Sequence, residues 1–204
     1  MNRRTRDFMF GASVLLLAIG WQQGEGGSTA RAVTPHQMPT PATTPSTVRG
    51  ERDASDHAFQ MEHMWDAKVT IADGIRLGKS KHGWRSIVPI TGGTFEGPRL
   101  RGTVVPGGED WQLVRPDGDQ ELYARYLLKT DDGHLIQVIN RVLIHYPPAG
   151  EKAAPYIRSV IDLEAPTDSP YDYLNHAVFL GTLTQPPLKA GEAPYVIVGV
   201  YRVL

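Results

Sequence analysis

Five polar or aromatic residues in or beside strand-like apolar segments have side chains suited to chemistry on a small organic molecule: Trp111, Tyr126, Arg158, Glu164 and Asn175. Glu164 offers the carboxyl of a general acid or base, and Arg158 a planar cation that stabilises developing oxyanion charge. Trp111 and Tyr126 would supply an aromatic wall and Asn175 an amide, the usual makeup of a pocket for a small, partly apolar ligand. A lyase, hydratase, isomerase or cyclase that works without a cofactor needs little beyond such a set and a dry cavity. Each residue also has a structural account: Trp and Tyr bury area, Arg and Glu in strands mostly face water, and Asn closes turns. Spacing restricts the pair further. Arg158 and Glu164 are an even six residues apart, so a regular strand puts both on one face, separated by about 20 Å. Acting on one small substrate requires a bend near residues 161–163. In a straight strand Arg158 is the better ligand contact, because its fork holds a carboxylate or carbonyl.

Other chemistries lack their residues. The seven histidines never fall into HxH or HxxxH pairs, and no dense Asp/Asn loop suggests calcium. The glycines of GGTFEGPRLRG are followed neither by Lys-Ser or Lys-Thr nor by a helical pattern, and there is no GxSxG elbow. With no cysteine, disulfides, thiolate catalysis and Cys-based metal sites are excluded. Lys and Arg number 21 against 22 Asp and Glu, with no basic block after the N-terminus, so a nucleic-acid partner is not expected. The expected partner is a small molecule and no cofactor is called for; the oligomeric state is not readable.

The segments that must position these residues are strands. Ile87 to Trp111 holds six glycines and three prolines among short apolar runs, and Gly92, Gly93, Gly97 and Gly102 read as corners of a bent sheet. Before it, the odd positions from Phe59 to Ile71 are apolar, or His63, and alternate with mostly polar residues, predicting a long first strand with the odd face buried. Residues 74–83 read as a polar loop. Pro106-Gly107-Gly108 reads as a turn into Trp111, Pro116-Asp117-Gly118 and Asp131-Asp132-Gly133 mark hairpin turns, and further strands fall near 156–164, 174–184 and 195–203, with a short helical turn near 169–174. The pattern predicts an all-β domain over residues 58–204, a single antiparallel barrel of about nine strands that closes to remove its edges and keeps room for one small ligand.

The N-terminal part has a different character. Residues 1–32 combine Arg3, Arg4 and Arg6, a 12-residue apolar core from Phe8 to Ile19, and Ala30-Arg31-Ala32, which predicts a signal peptide cleaved after Ala32. The core falls short of the roughly 20 apolar residues of a membrane span, so the mature protein is expected to be exported, periplasmic or secreted, without a stable span. From Val33 the mature chain would carry 17 Lys and Arg against 20 Asp and Glu, net −3. Residues 33–57 are rich in Pro, Thr and Ser with little to bury, the composition of a disordered linker.

The runs IVPITGGTFEGPRLRGTVVPGGEDWQLVRPDG, ELYARYLLKTDDG, YIRSVIDLE and YLNHAVFLG, in that order, resemble the bacterial and fungal family catalogued as domain of unknown function 3237, over about residues 59 to 203. The resemblance implies a calycin-like β-barrel whose biochemical role is largely unassigned, and it puts Trp111, Tyr126, Arg158, Glu164 and Asn175 on recurring positions. The chain departs from the family at Val142, Tyr173 and His176. The first functional expectation is a barrel that binds a small hydrophobic or aromatic molecule. The alternative is a cofactor-independent enzyme using Glu164 and Arg158.

Overall fold

Alternating side chains give each segment one face to cover, and a run of such segments can lose its free edges only by curling round on itself. The computed structural model describes residues 58–204, so the expected signal peptide (1–32) and linker (33–57) lie outside the described residues. Nine antiparallel strands follow in order: β1 (Met61–Ile71), β2 (Ile75–Ser80), β3 (Gly83–Glu96), β4 (Arg101–Val114), β5 (Gln120–Thr130), β6 (Leu135–His145), β7 (Tyr156–Glu164), β8 (Phe179–Thr184) and β9 (Tyr195–Val203). Their order in the sheet is β1-β9-β8-β7-β6-β5-β4-β3-β2, and β1 also pairs with β3. That last pairing closes eight strands into a barrel and leaves β2 outside it as an extra strand on β3. The fold is the expected all-β antiparallel barrel.

Two local expectations are corrected. Residues 75–80, read as loop, form β2, which pairs with β3 from Ile75↔Ile87 to Ser80↔Gly83 across a register shift at Arg76/Gly78. Polar side chains on both faces are tolerated there, because this strand packs against no core. In β1 the odd parity does not run through: the register with β9 shifts between His63 and Trp65, and Met64 and Trp65 are both buried. That bulge turns Phe59 and Met61 out to solvent. His63 accordingly sits half-buried at the surface, 3.3 Å from Asp66 and beside the Tyr201 ring, rather than in the core.

The glycine-rich spine bends as its composition suggests. One half of β3 pairs with β2 and the other with β1, while β4 flanks both, with a register shift between Pro89 and Thr94. Gly93 sits at the bend with φ +135°, and a Cβ there would lie 1.9 Å from the Lys68 carbonyl oxygen. A third correction falls in β4, which runs on where a turn was expected: Val105 pairs with Leu127 but Glu109 with Arg125, so two extra residues bulge out at Pro106–Gly108 without reversing the chain.

The interior is filled unevenly. Towards one end Trp65 packs edge-on against Phe95 (6.0 Å between centroids), with Leu128, Ile136, Leu174 and Phe179 fully buried around them. Towards the other end the inward side chains are smaller and several are polar: Asp110, Gln112, Ala124 and Asn140.

Candidate functional site

Pairing places Val88, Asp110, Ala124, Asn140 and Ile161 in one row across β3 to β7. Ala124 is the smallest of them, and its missing bulk leaves a gap between Asp110 and Asn140. A cavity of ≈ 40 Å³ opens there, walled by apolar side chains such as Val88, Leu122 and Val198, with Tyr126 beside it. A water molecule needs about 10–15 Å³ in this measure, so there is room for about three waters or one small functional group.

Two acceptor oxygens on this row have no hydrogen-bond partner although both are buried: Asp110 Oδ1 and Asn140 Oδ1. The other Asp110 oxygen accepts from Gln112 Nε2 at 2.9 Å. Burial pushes the Asp110 pKa up to about 6, against the pull of the Gln112 amide and the Tyr123 backbone. The Tyr126 phenol is pushed up as well, first by burial and then by the nearby Asp110 charge, so it stays a hydrogen-bond donor across the ordinary pH range. A carboxyl that titrates close to neutrality, a phenol that does not ionise and an uncommitted amide meet in one mostly apolar cavity. This is the equipment of proton transfer to or from a small molecule.

A family model described as protein of unknown function (DUF3237) matches residues 59–203. The chain belongs to the DUF3237 family. A UPF0311 protein of Rhodopseudomonas palustris is 32% identical over 158 residues, covering 72% of this chain and 97% of that relative. Among solved structures, a beta-barrel like protein of Acinetobacter baumannii has a TM-score of 0.63 at 32% identity, covering 72% of this chain and 97% of its own. A relative named hydroalkoxylation enzyme, from Penicillium herquei, is 27% identical over 122 residues, 60% of this chain and 72% of the relative.

Of the five residues singled out by sequence in this DUF3237 chain, only Tyr126 reaches the interior cavity. Trp111 is on the outer face, with its indole nitrogen donating to Glu109 Oε1 at 2.6 Å. Asn175 fastens the 3₁₀ turn Asp172–His176 to the end of β7: its Oδ1 accepts from the Ala165 amide at 2.8 Å, and its Nδ2 donates to the Ala165 carbonyl and Asp172 at 2.9 Å each. Arg158 and Glu164 do share a face, as their even spacing requires, but it is the outer one. The β6–β7 register runs unbroken from Gln137↔Glu164 to His145↔Tyr156, so no bend brings the two together. Arg158 lies over the Tyr156 ring and donates to the Ile157 carbonyl. Glu164 accepts from Gln137 at 2.8 Å, and Gln137 in turn accepts from Arg125. Regular β-structure thus denies this pair the joint role that a bend would have allowed.

A second concavity, ≈ 420 Å³, opens outward beneath the β4 bulge between Pro106, Arg125 and Gln137. Its amide and guanidinium are already partnered with each other. The unpartnered Asp110 and Asn140 oxygens belong to residues that line the interior cavity. Sequence reading missed Asp110 and Gln112 because Trp111 and Leu113 are the apolar members of β4 and suggest the opposite face; Asn140 lies on β6, in the even row of Ile136, Val138, Val142 and Ile144. The available signal was parity: the even positions from buried Val104 continue through the two-residue bulge to Asp110 and Gln112.

Proposed function

We propose that the barrel takes a small, mostly apolar molecule end-first into its cavity through a hydroxyl or carbonyl group, and that Asp110 exchanges a proton with it. The observation that carries this reading is the buried, unpartnered Asp110 Oδ1 on the cavity wall. With a pKa near 6, Asp110 is poised to give a proton in one step and take it back in the next. The unpartnered Asn140 Oδ1 would accept from the reacting hydroxyl and orient it, with Tyr126 beside it on the cavity wall. The cavity accommodates only a reacting group, far below the 300–1,000 Å³ typical of pockets that enclose a drug-sized ligand, so the rest of the substrate must sit towards the rim or displace side chains.

The Penicillium relative's name supports this class of chemistry. In the addition of a hydroxyl across a carbon–carbon double bond, the oxygen forms a bond to one carbon and the other carbon receives a proton from Asp110. The hydroxyl proton passes to the carboxylate so formed, which restores the acid, and no redox cofactor enters the balance.

The test uses 2-allylphenol, which holds a hydroxyl and an alkene in one small molecule, with wild type and Asp110→Asn, product being measured by chromatography. Cyclised product from wild type and a loss of at least about 100-fold in Asp110→Asn are expected. Unchanged turnover in the variant would overturn the role of Asp110. Binding without turnover by wild type would favour a carrier, a second reading that the mostly apolar wall supports. We also propose that the mature protein is exported after cleavage behind Ala32, which N-terminal sequencing of the secreted form should show as a start at Val33.

A further inference from the structure

The cavity carboxyl is the end of a longer arrangement. The Tyr146 hydroxyl donates to Gln120 Oε1 at 3.3 Å, Gln120 Nε2 donates to Gln112 Oε1 at 3.4 Å, and Gln112 Nε2 donates to Asp110 Oδ2 at 2.9 Å. Gln112 and Gln120 are among the few buried polar residues of the barrel, whereas Tyr146, just beyond the end of β6, is only partly covered. All three steps run in the same direction, from rim to cavity. Direction matters because a carboxamide has one donor end and one acceptor end. An ionised carboxylate only accepts, so the Gln112 amide faces Asp110, the Gln112 oxygen faces the Gln120 amide, and the Gln120 oxygen is left to accept from the phenol.

We propose that Tyr146, Gln120 and Gln112 form a positioning ladder that fixes the orientation and proton placement of Asp110. The ladder commits Oδ2 to accepting, so the proton that Asp110 exchanges resides on Oδ1, the oxygen without a protein partner. An amide cannot pass a proton along without changing tautomer, so the ladder orients and does not conduct. This inference rests on the acid–base reading of the cavity, but it concerns the state of Asp110 and not turnover.

Surrounding charges are few. Tyr126 of β5 is the other titratable side chain on the cavity wall; β1, β3, β8 and β9 present apolar side chains there, and β6 presents Asn140 and Val142. At the rim, Asp119 precedes Gln120 and is held by Arg115 at 3.0 Å and by His145 at 2.6 Å.

The experiment is a ¹³C NMR titration of the Asp110 carboxyl in the folded protein, comparing wild type with Gln112→Met, Gln120→Met, Tyr146→Phe and His145→Gln. Removing the direct donor in Gln112→Met should raise the Asp110 pKa by about one unit, since hydrogen bonds to charged groups are the strong ones. Gln120→Met and Tyr146→Phe should raise it by progressively smaller amounts, each about a few tenths of a unit, and should shift the Gln112 side-chain amide resonances. His145→Gln should leave it unchanged. Tyr146→Phe is the informative variant if the buried substitutions fail to fold, because it removes one oxygen from a partly exposed ring. An Asp110 pKa and Gln112 amide signals unmoved by Tyr146→Phe would overturn the ladder, as would an equal shift in His145→Gln. Should Asp110→Asn retain turnover while these shifts appear, the acid–base reading falls and the ladder stands.

Discussion

At the scale of single residues, Asp110 makes the sharpest claim. Its folded pKa, about 6, lies above the ordinary 3.8, so the folded state holds a proton that the unfolded chain releases between those values. The sign follows from linkage: this group favours folding fully below about pH 4, loses that contribution as pH rises towards 6, and above 6 imposes its full cost. Two units correspond to roughly 3 kcal/mol, an order-of-magnitude figure. Chemical denaturation followed from pH 4 to pH 7 should therefore show stability falling relative to Asp110→Asn, whose side chain keeps the shape without the ionisation. Parallel curves for the two proteins would contradict the buried titration.

Among the elements, β3 and β4 decide the shape, since both must coil to pair with neighbours on opposite sides of the barrel. Gly93→Val meets two obstacles at the bend: a backbone at φ +135°, which L side chains rarely adopt, and a Cβ within 1.9 Å of the Lys68 carbonyl. Strain of this kind costs about 1–3 kcal/mol before any clash is counted, so the melting temperature should fall by roughly 10 °C or the chain should fail to fold. An unchanged melting temperature would take the corner away from Gly93. The bulge at Pro106–Gly108 plays a related part. A Cβ on Gly108 would come within 2.5 Å of the Tyr126 Cβ, so the glycine lets β4 lie close over the residue that lines the cavity.

In the whole molecule, closure through β1–β3 and β1–β9 gives eight strands a partner on each side and leaves β2 with one. Ile75 and Leu77 on that strand are more than half exposed. Hydrogen exchange should reflect this: amides of Ile75–Ser80 exchange fastest among the strands, and those of β5 and β6 near Leu128, Ile136 and Val138 slowest. Protection of β2 equal to that of β5 would mean that it is covered by something in solution.

Local chemistry determined much of this from sequence. Alternation in Leu122, Ala124, Tyr126 and Leu128, the Asp-Gly turns and the glycine-rich spine are local signals, and each strand obeys them because a half-buried strand admits only period two. Three strands departed from that reading. The bulge at Met64 in β1 carries no mark in composition, Pro106-Gly107-Gly108 has the composition of a turn but forms a bulge within β4, and β2 holds its place by pairing with β3 alone. The proposed site was hardly legible at all. Tyr126 could be named, but Arg158 and Glu164 were drawn from the outer face, because their fate depended on whether β7 bends, which its partners β6 and β8 decide. Asp110 and Asn140 are 30 residues apart and meet only through the register of β4 on β5 and β5 on β6, across an alanine. Pairing register fixes which buried polar atoms share a cavity, and it arises from closure of the whole sheet.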